Sequence, residues 1–406
     1  MPNSHEFKYI SDGCMYEYSD GRSREIRSEI LAEYKAKMAS AAERNEWKHT
    51  GEGAQFMGAY RHSSSPADVL ASIYSRVSCI GEHNGQLIYS LAINSTEGIY
   101  RKHLDRGSEG IVLCNGNLKY GCFDILGDRM AVAGELGGEC HISVMDIPTK
   151  NIITYTEGRT ADSEPFWSRV EKDKIYFSSK GLSENTNPPS RELGDEEMSY
   201  GQMATQMFAA RANSSYYGPN SICLIDISTG SLEEILSDPA YSFVHPKSTS
   251  DGSLYYVKRP YKHSAGSNTL GCLTDIVLFP FRLLGAVFDF LNVFTAKYSG
   301  KTLSHSDVKQ RDEKNVIIEG NLINAERELR ENSKRGEKNP GIIPRSWELR
   351  RLLPNGEDVL VKPGVSAFAV KENGDIIYSN GSHIILLAPD GREERLLSAR
   401  GVSFIL

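Results

Sequence analysis

The chain has 406 residues, 39% hydrophobic and 24% charged, ordinary for a globular protein and enough for one large domain or two to three smaller ones. A net charge of −7 argues against nucleic acid as a partner, because such binders carry a basic face. With 36 glycines and 20 tyrosines the composition suits a turn-rich β protein.

Short β-rich segments separated by Gly- and Asp/Asn-bearing turns recur along the chain. Residues 7–11, 14–19 and 23–26 come first, with Asp20-Gly21 before the third. In the segment that follows, Ile30, Leu31, Tyr34, Met38 and Ala41 recur at helical spacing and predict a helix over 28–47. A set of four strands is then read at 76–80, 86–91, 98–104 and 110–114, and a second at 119–123, 129–133, 141–147 and 152–156. The third set is 164–168, 174–178, 221–227 and 232–236. The fourth is 242–246, 253–257, 346–352 and 358–362, and the fifth is 366–370, 375–379, 383–388 and 394–397. Residues 401–406 end the chain. Gly85, Gly127, Gly252 and Gly374 stand in the first turn of four sets, where a positive φ is often needed.

Residues 162–179 carry a family likeness. Asp162, Pro165, Trp167, Ser168 and the strand over 175–179 match the repeat of TolB-type β-propellers, whose usual form is Asp-x-x-Pro-x-Trp-Ser-Pro-Asp-Gly, an apolar strand and Ser. Residues 169–173 depart from its Ser-Pro-Asp-Gly turn. The stretch resembles that family. The resemblance implies an all-β fold, a six-bladed β-propeller in which each set is one blade of four antiparallel strands, innermost first. The sixth blade is then built from residues 7–26 plus 401–406, so that pairing of the N- and C-terminal segments closes the ring and removes open sheet edges. Residues 1–406 form a single propeller domain in this reading, with helical cap insertions on one face at about 27–74, 180–220 and 258–345. The fold by itself implies no function.

The second insertion is a polar loop followed by a helix predicted over 200–213. The third holds the most unusual stretch, 270–298, in which Asp275, Arg282 and Asp289 are the only charges between Leu273 and Ala296. A membrane-spanning helix needs roughly 20 apolar residues with few or no charges, so these three and Pro280 argue against spanning. The stretch reads as a helix buried against the cap or as a docking face. Phe279, Phe281, Leu284, Phe288, Leu291 and Phe294 would then meet a protein partner, a second copy or, peripherally, a membrane. A further helix is predicted over 322–332.

The chain has no G-x-G-x-x-G after a strand, no P-loop, no H-E-x-x-H and no G-x-S-x-G, so no cofactor and no catalytic residue is assigned. Its 7 cysteines form no C-x-x-C pair and read as reduced thiols in a reducing compartment. Residues 1–8 show no apolar signal region, which predicts a cytoplasmic protein, whereas TolB itself is periplasmic. Of His83, His103, His141, His245 and His383, only His245 falls on an inner strand, too few for a metal site. Arg76, Lys119, Asp162, Glu164, Tyr241 and Arg400 enter the inner strands at the capped end and, with His245, form the candidate ligand-binding ring. The inner strands otherwise read as an apolar lining. The favoured function is a non-enzymatic scaffold that binds a protein or peptide partner through its helix-capped face. The alternative is a propeller-based lyase or hydrolase acting on a sugar or small polar ligand at the channel mouth.

Overall fold

The computed structural model describes residues 5–45, 70–105, 107–116, 118–183, 216–261, 315–318 and 321–406. These residues are mostly β, in short antiparallel ladders. The first holds β1 (Phe7–Ser11), β2 (Cys14–Ser19) and β3 (Arg22–Ile26), and helix α1 (Glu29–Asn45) follows. Next come β4 (Ser75–His83), β5 (Gln86–Ile93), β6 (Thr96–Lys102) and β7 (Glu109–Cys114). A third ladder contains β8 (Lys119–Leu126), β9 (Arg129–Leu136), β10 (Glu139–Asp146) and β11 (Ile152–Thr154). A fourth contains β12 (Thr160–Trp167), β13 (Lys174–Ser183), β15 (Ser221–Asp226) and β16 (Ser231–Leu236), with β14 (Tyr216–Tyr217) added to β13. These two ladders touch through one parallel bridge, Cys140 to Ala161.

The fifth ladder starts with β17 (Tyr241–Ser248) and β18 (Leu254–Pro260). A hairpin of β19 (Asn315–Ile318) and β20 (Asn321–Asn324) and helix α2 (Ala325–Lys334) follow, and β21 (Glu348–Leu352) and β22 (Asp358–Pro363) complete the ladder. The sixth is β23 (Ala367–Val370), β24 (Ile376–Ser379), β25 (His383–Leu387) and β26 (Glu393–Ser398). Strand β27 (Val402–Ile405) returns to pair antiparallel with β1, giving the order β27-β1-β2-β3. Gly401 makes this junction tight: at φ 60 it leaves its Cα so close to Asp12 that an added Cβ would sit 2.0 Å from Asp12 Oδ1.

Each ladder packs its apolar face on the next. Ile10 and Met15 meet Val77 and Leu87, Cys79 and Ile88 meet Phe123 and Val132, and Ala131 and Ile142 meet Trp167 and Ile175. Ile222 meets Phe243 and Tyr256, Val257 and Leu349 meet Phe368 and Tyr378, and Ile377 and Ile384 meet Phe7, Tyr9 and Ile405. The last cluster leads back to the first ladder. Fully burying such a side chain contributes about 1.5–3 kcal/mol, so these seams hold the ladders together.

The strands fall where the sequence places them, with two differences that matter. Residues 322–332 do not form one helix: β20 runs to Asn324, whose side chain accepts the Arg327 N–H at 2.9 Å and starts α2 there. Inner strands β8 and β17 continue past the read ends at 123 and 246, to Leu126 and Ser248. The helix predicted over 28–47 is present as α1. The helices predicted over 200–213 and 270–298 lie outside the described residues.

Candidate functional site

Strands β4, β8, β12 and β17 share one irregularity. Their registers slip between Val77 and Cys79, Tyr120 and Phe123, Ser163 and Phe166, and Val244 and Lys247. A bulge of this kind inserts unpaired residues and re-aims the side chains around it. In β12 and β17 it falls on an X-Pro pair, Glu164-Pro165 and His245-Pro246, and X is left-handed, with φ 55 and 56. Such a conformation in a bulky residue costs of order 1–3 kcal/mol, and such strain concentrates at functional sites.

Residues of β4, β8, β12, β17, β23 and β27 together line a central cavity of about 1210 Å³. It runs from the bulges, with Ser78, Cys122, Glu164 and His245, toward the turns that leave the inner strands, with Arg169, Asp251, Lys371 and Glu372.

Two carboxyl-centred pairs sit inside. Glu164 Oε1 lies 3.0 Å from His245 Nδ1, and Oε2 accepts the His245 backbone N–H at 2.7 Å and the Ser178 hydroxyl at 3.0 Å. Burial works to raise the Glu164 pKa, but His245 and these donors outweigh it and hold the carboxyl at about 2. On β8, Asp124 accepts the Trp167 backbone N–H at 2.8 Å and Arg169 Nη2 at 3.0 Å on both oxygens. Here burial prevails and pushes the Asp124 carboxyl above its usual range despite the guanidinium. Arg169 in turn stacks 4.4 Å above the Phe166 ring.

Lys247 is different. Its Nζ donates to two backbone carbonyls, Phe368 at 2.7 Å and Ile405 at 3.0 Å, and the Phe404 and Phe368 rings flank it at 5.1 and 5.4 Å. Burial pushes its pKa down to about 8, opposed by nearby Asp124. Lys371, at the mouth, donates to the Glu6 carbonyl at 3.3 Å and is also lowered by burial. Neither lysine has an ion-pair partner among the described residues, whereas Arg351 pairs with Asp251 and Glu82 with Lys8. A desolvated cation that faces an open cavity and makes no ion pair gains more from an arriving anion than a paired one does.

Of the seven residues in the sequence-derived ring, Glu164 and His245 line the cavity and touch each other. The other five do not line it. Arg76 lies on β4 near its entry, and Lys119 pairs with exposed Glu135 at 3.0 Å. Asp162 is buried and accepts the Ser179 hydroxyl at 2.7 Å, Tyr241 takes the Lys258 ammonium on its ring at 4.0 Å, and the Arg400 carbonyl accepts the Ser11 hydroxyl. The ring is read at the end where inner strands enter, and the cavity instead extends toward the end where they leave. Its lining is not the apolar one read from the sequence: the bulges bring Asp124, Arg169 and Lys247 to it. Among the histidines, His83 pairs with Asp128 at 2.8 Å in a turn, and the described residues contain no group of three or more metal-ligating side chains. Phe279, Phe281, Leu284, Phe288, Leu291 and Phe294 lie outside the described residues. No helix among the described residues is long and apolar enough to cross a membrane.

No protein-family model matches the chain, and no curated protein matches it. Among solved structures it is similar to TolB from Acinetobacter baumannii, with 10% identity, a TM-score of 0.46, and coverage of 98% of this chain and 64% of that one. A protein described as TolB from Agrobacterium tumefaciens gives 10% identity and a TM-score of 0.39 over 80% of this chain and 82% of that one. Oligogalacturonate lyase from Vibrio parahaemolyticus gives 11% and 0.36 over 80% and 79%. The chain resembles TolB-type propellers. This chain spans 64% of the length of the Acinetobacter protein. The fold assignment rests on the strand ladders above.

Proposed function

We propose that the six four-stranded groups are the blades of a closed propeller, and that the chain is a binding protein which takes a small carboxylate ligand into its central channel. The ammonium of Lys247 on the channel wall, which makes no ion pair among the described residues, carries this reading. Glu164 is engaged by the His245 ring and Asp124 by the Arg169 guanidinium, so they anchor the wall and leave the lysines to meet the ligand. A carboxylate on Lys247, with Lys371 and Arg169 on the same cavity, forms charge-assisted hydrogen bonds in a partly water-excluded space. This places recognition in the channel, whereas the sequence reading placed a protein partner on the capped face.

Binding stabilises the folded state by mass action, so a thermal-shift series with lactate, malate and other simple carboxylates tests the proposal. The expected result is a rise in melting temperature that Lys247→Met abolishes and Lys119→Ala leaves intact. No rise with any acid, or equal rises in Lys247→Met, would overturn it.

A further inference from the structure

This inference rests on the binding reading above and concerns the same side chain. A neutral amine has two N–H donors and one lone pair. Lys247 Nζ makes two hydrogen bonds, to the carbonyls of Phe368 on β23 and Ile405 on β27. Those two acceptors match the two N–H groups of the neutral amine and leave its lone pair as the one remaining direction. In the ammonium form a third N–H sits there, with no hydrogen-bond acceptor among the described residues. Two strands thus hold the nitrogen in place while the side chain lines the cavity.

The surroundings favour the neutral form. Burial lowers the Lys247 pKa most, and the charges of Arg169 and Lys371 lower it further. Desolvation and a neighbouring cation are the two means by which lysine nucleophiles are activated. The same two cations suit a carboxylate attached next to the reacting carbon.

We propose that Lys247 is a carbonyl-reactive amine that condenses with the keto group of a 2-oxo acid held in the channel. The Nζ lone pair attacks the keto carbon, and the C=O π electrons move to oxygen. Both N–H hydrogens leave with that oxygen as water: the C–O bond and the last N–H bond of the carbinolamine break, and its C–N bond becomes C=N. No oxidant or reductant is needed. Protonation of the imine restores one N–H, which keeps one of the two carbonyl acceptors.

The test is reductive trapping on the full chain, with pyruvate and cyanoborohydride, followed by peptide mass mapping. Lactate, which has the carboxylate but no keto group, serves as the non-reacting control. At pH 7 a lysine with a pKa of about 8 has a neutral fraction on the order of 250-fold larger than an exposed lysine, so labelling at Lys247 is expected at least about ten-fold faster than at exposed Lys150 and Lys172. Lactate should slow the labelling by competition. Lys247→Arg, which has no reactive amine, should lose the label. Labelling spread over exposed lysines with Lys247 unmodified, while lactate still raises the melting temperature, would overturn this inference and leave the binding reading standing. If lactate and pyruvate both fail to stabilise the protein and no label reaches Lys247, both readings fall.

Discussion

Strands β12 and β17 bend at the same place, Glu164-Pro165 in one and His245-Pro246 in the other, and then diverge. Counting from the bulge, Phe166 corresponds to Lys247 and Trp167 to Ser248. In β12 the positions after the bulge bring an aromatic ring under Arg169 and a Trp that is fully buried between ladders. In β17 the same positions bring a cation to the channel wall and a serine that accepts the Arg169 backbone N–H. The backbone device is repeated, and the side chains placed on it decide whether a ladder carries a buried ring or a cation at the cavity wall. The bulge residues themselves join the two: Glu164 and His245 pair across the boundary between neighbouring ladders.

The largest effect should come from the supporting side. Trp167→Ala removes a fully buried indole between β9–β10 and β12–β13 and should destabilise by about 3–5 kcal/mol in urea titrations. A loss under about 1 kcal/mol would mean that this seam does not hold the fold, against the burial reasoning.

Glu164→Gln comes next. The folded carboxyl is depressed to about 2 from an ordinary 4.5, so its contribution is present above pH 4.5 and lost as the pH falls through the folded value. The variant should therefore be less stable at pH 7 by on the order of 3 kcal/mol. The gap from the parent should close between pH 4.5 and pH 2. A gap that stays constant over that range would show that the pair with His245 is not what the substitution removes.

Lys247→Met should be milder and opposite in character. The folded pKa of about 8 lies below the unfolded value, so the unfolded chain holds more protons between them and the parent gains stability as the pH rises through that window. The variant lacks this gain. Its stability relative to the parent should be greatest at pH 7 and fall by pH 10.5. Denaturation at the two pH values checks this, and a difference that does not change with pH would contradict it.

Lys119→Ala should do least. Its ion pair with Glu135 is solvent-exposed, so the change in stability should stay within about 0.5 kcal/mol. A cost above 1 kcal/mol would give this residue a role that the cavity geometry does not.

The strands were legible because their turns announce themselves, as at Asp20-Gly21 and Gly374, and because apolar runs alternate with polar turns. Glu164 and His245 were legible as inner-strand residues. Asp124 and Lys247 were not, for a definite reason: each lies one residue beyond the end read for its strand. A bulge shifts the two-residue period by one, so the face expected beyond it is the wrong one. A signal was present. Glu-Pro and His-Pro stand at equivalent places in successive repeats, and a proline within an inner strand marks a bulge. The setting of the Lys247 nitrogen left no such trace, since it depends on carbonyls of Phe368 and Ile405, far away in sequence.

The most direct test of the account is proton linkage on binding. If an anion settles on Lys247, it raises that lysine's pKa, so at pH 8 the complex must take up protons. Titration calorimetry of lactate into the full chain, in two buffers of different ionisation enthalpy, counts them. The account predicts net proton uptake at pH 8 that disappears in Lys247→Met. Binding without uptake, or the same uptake in both proteins, would contradict it.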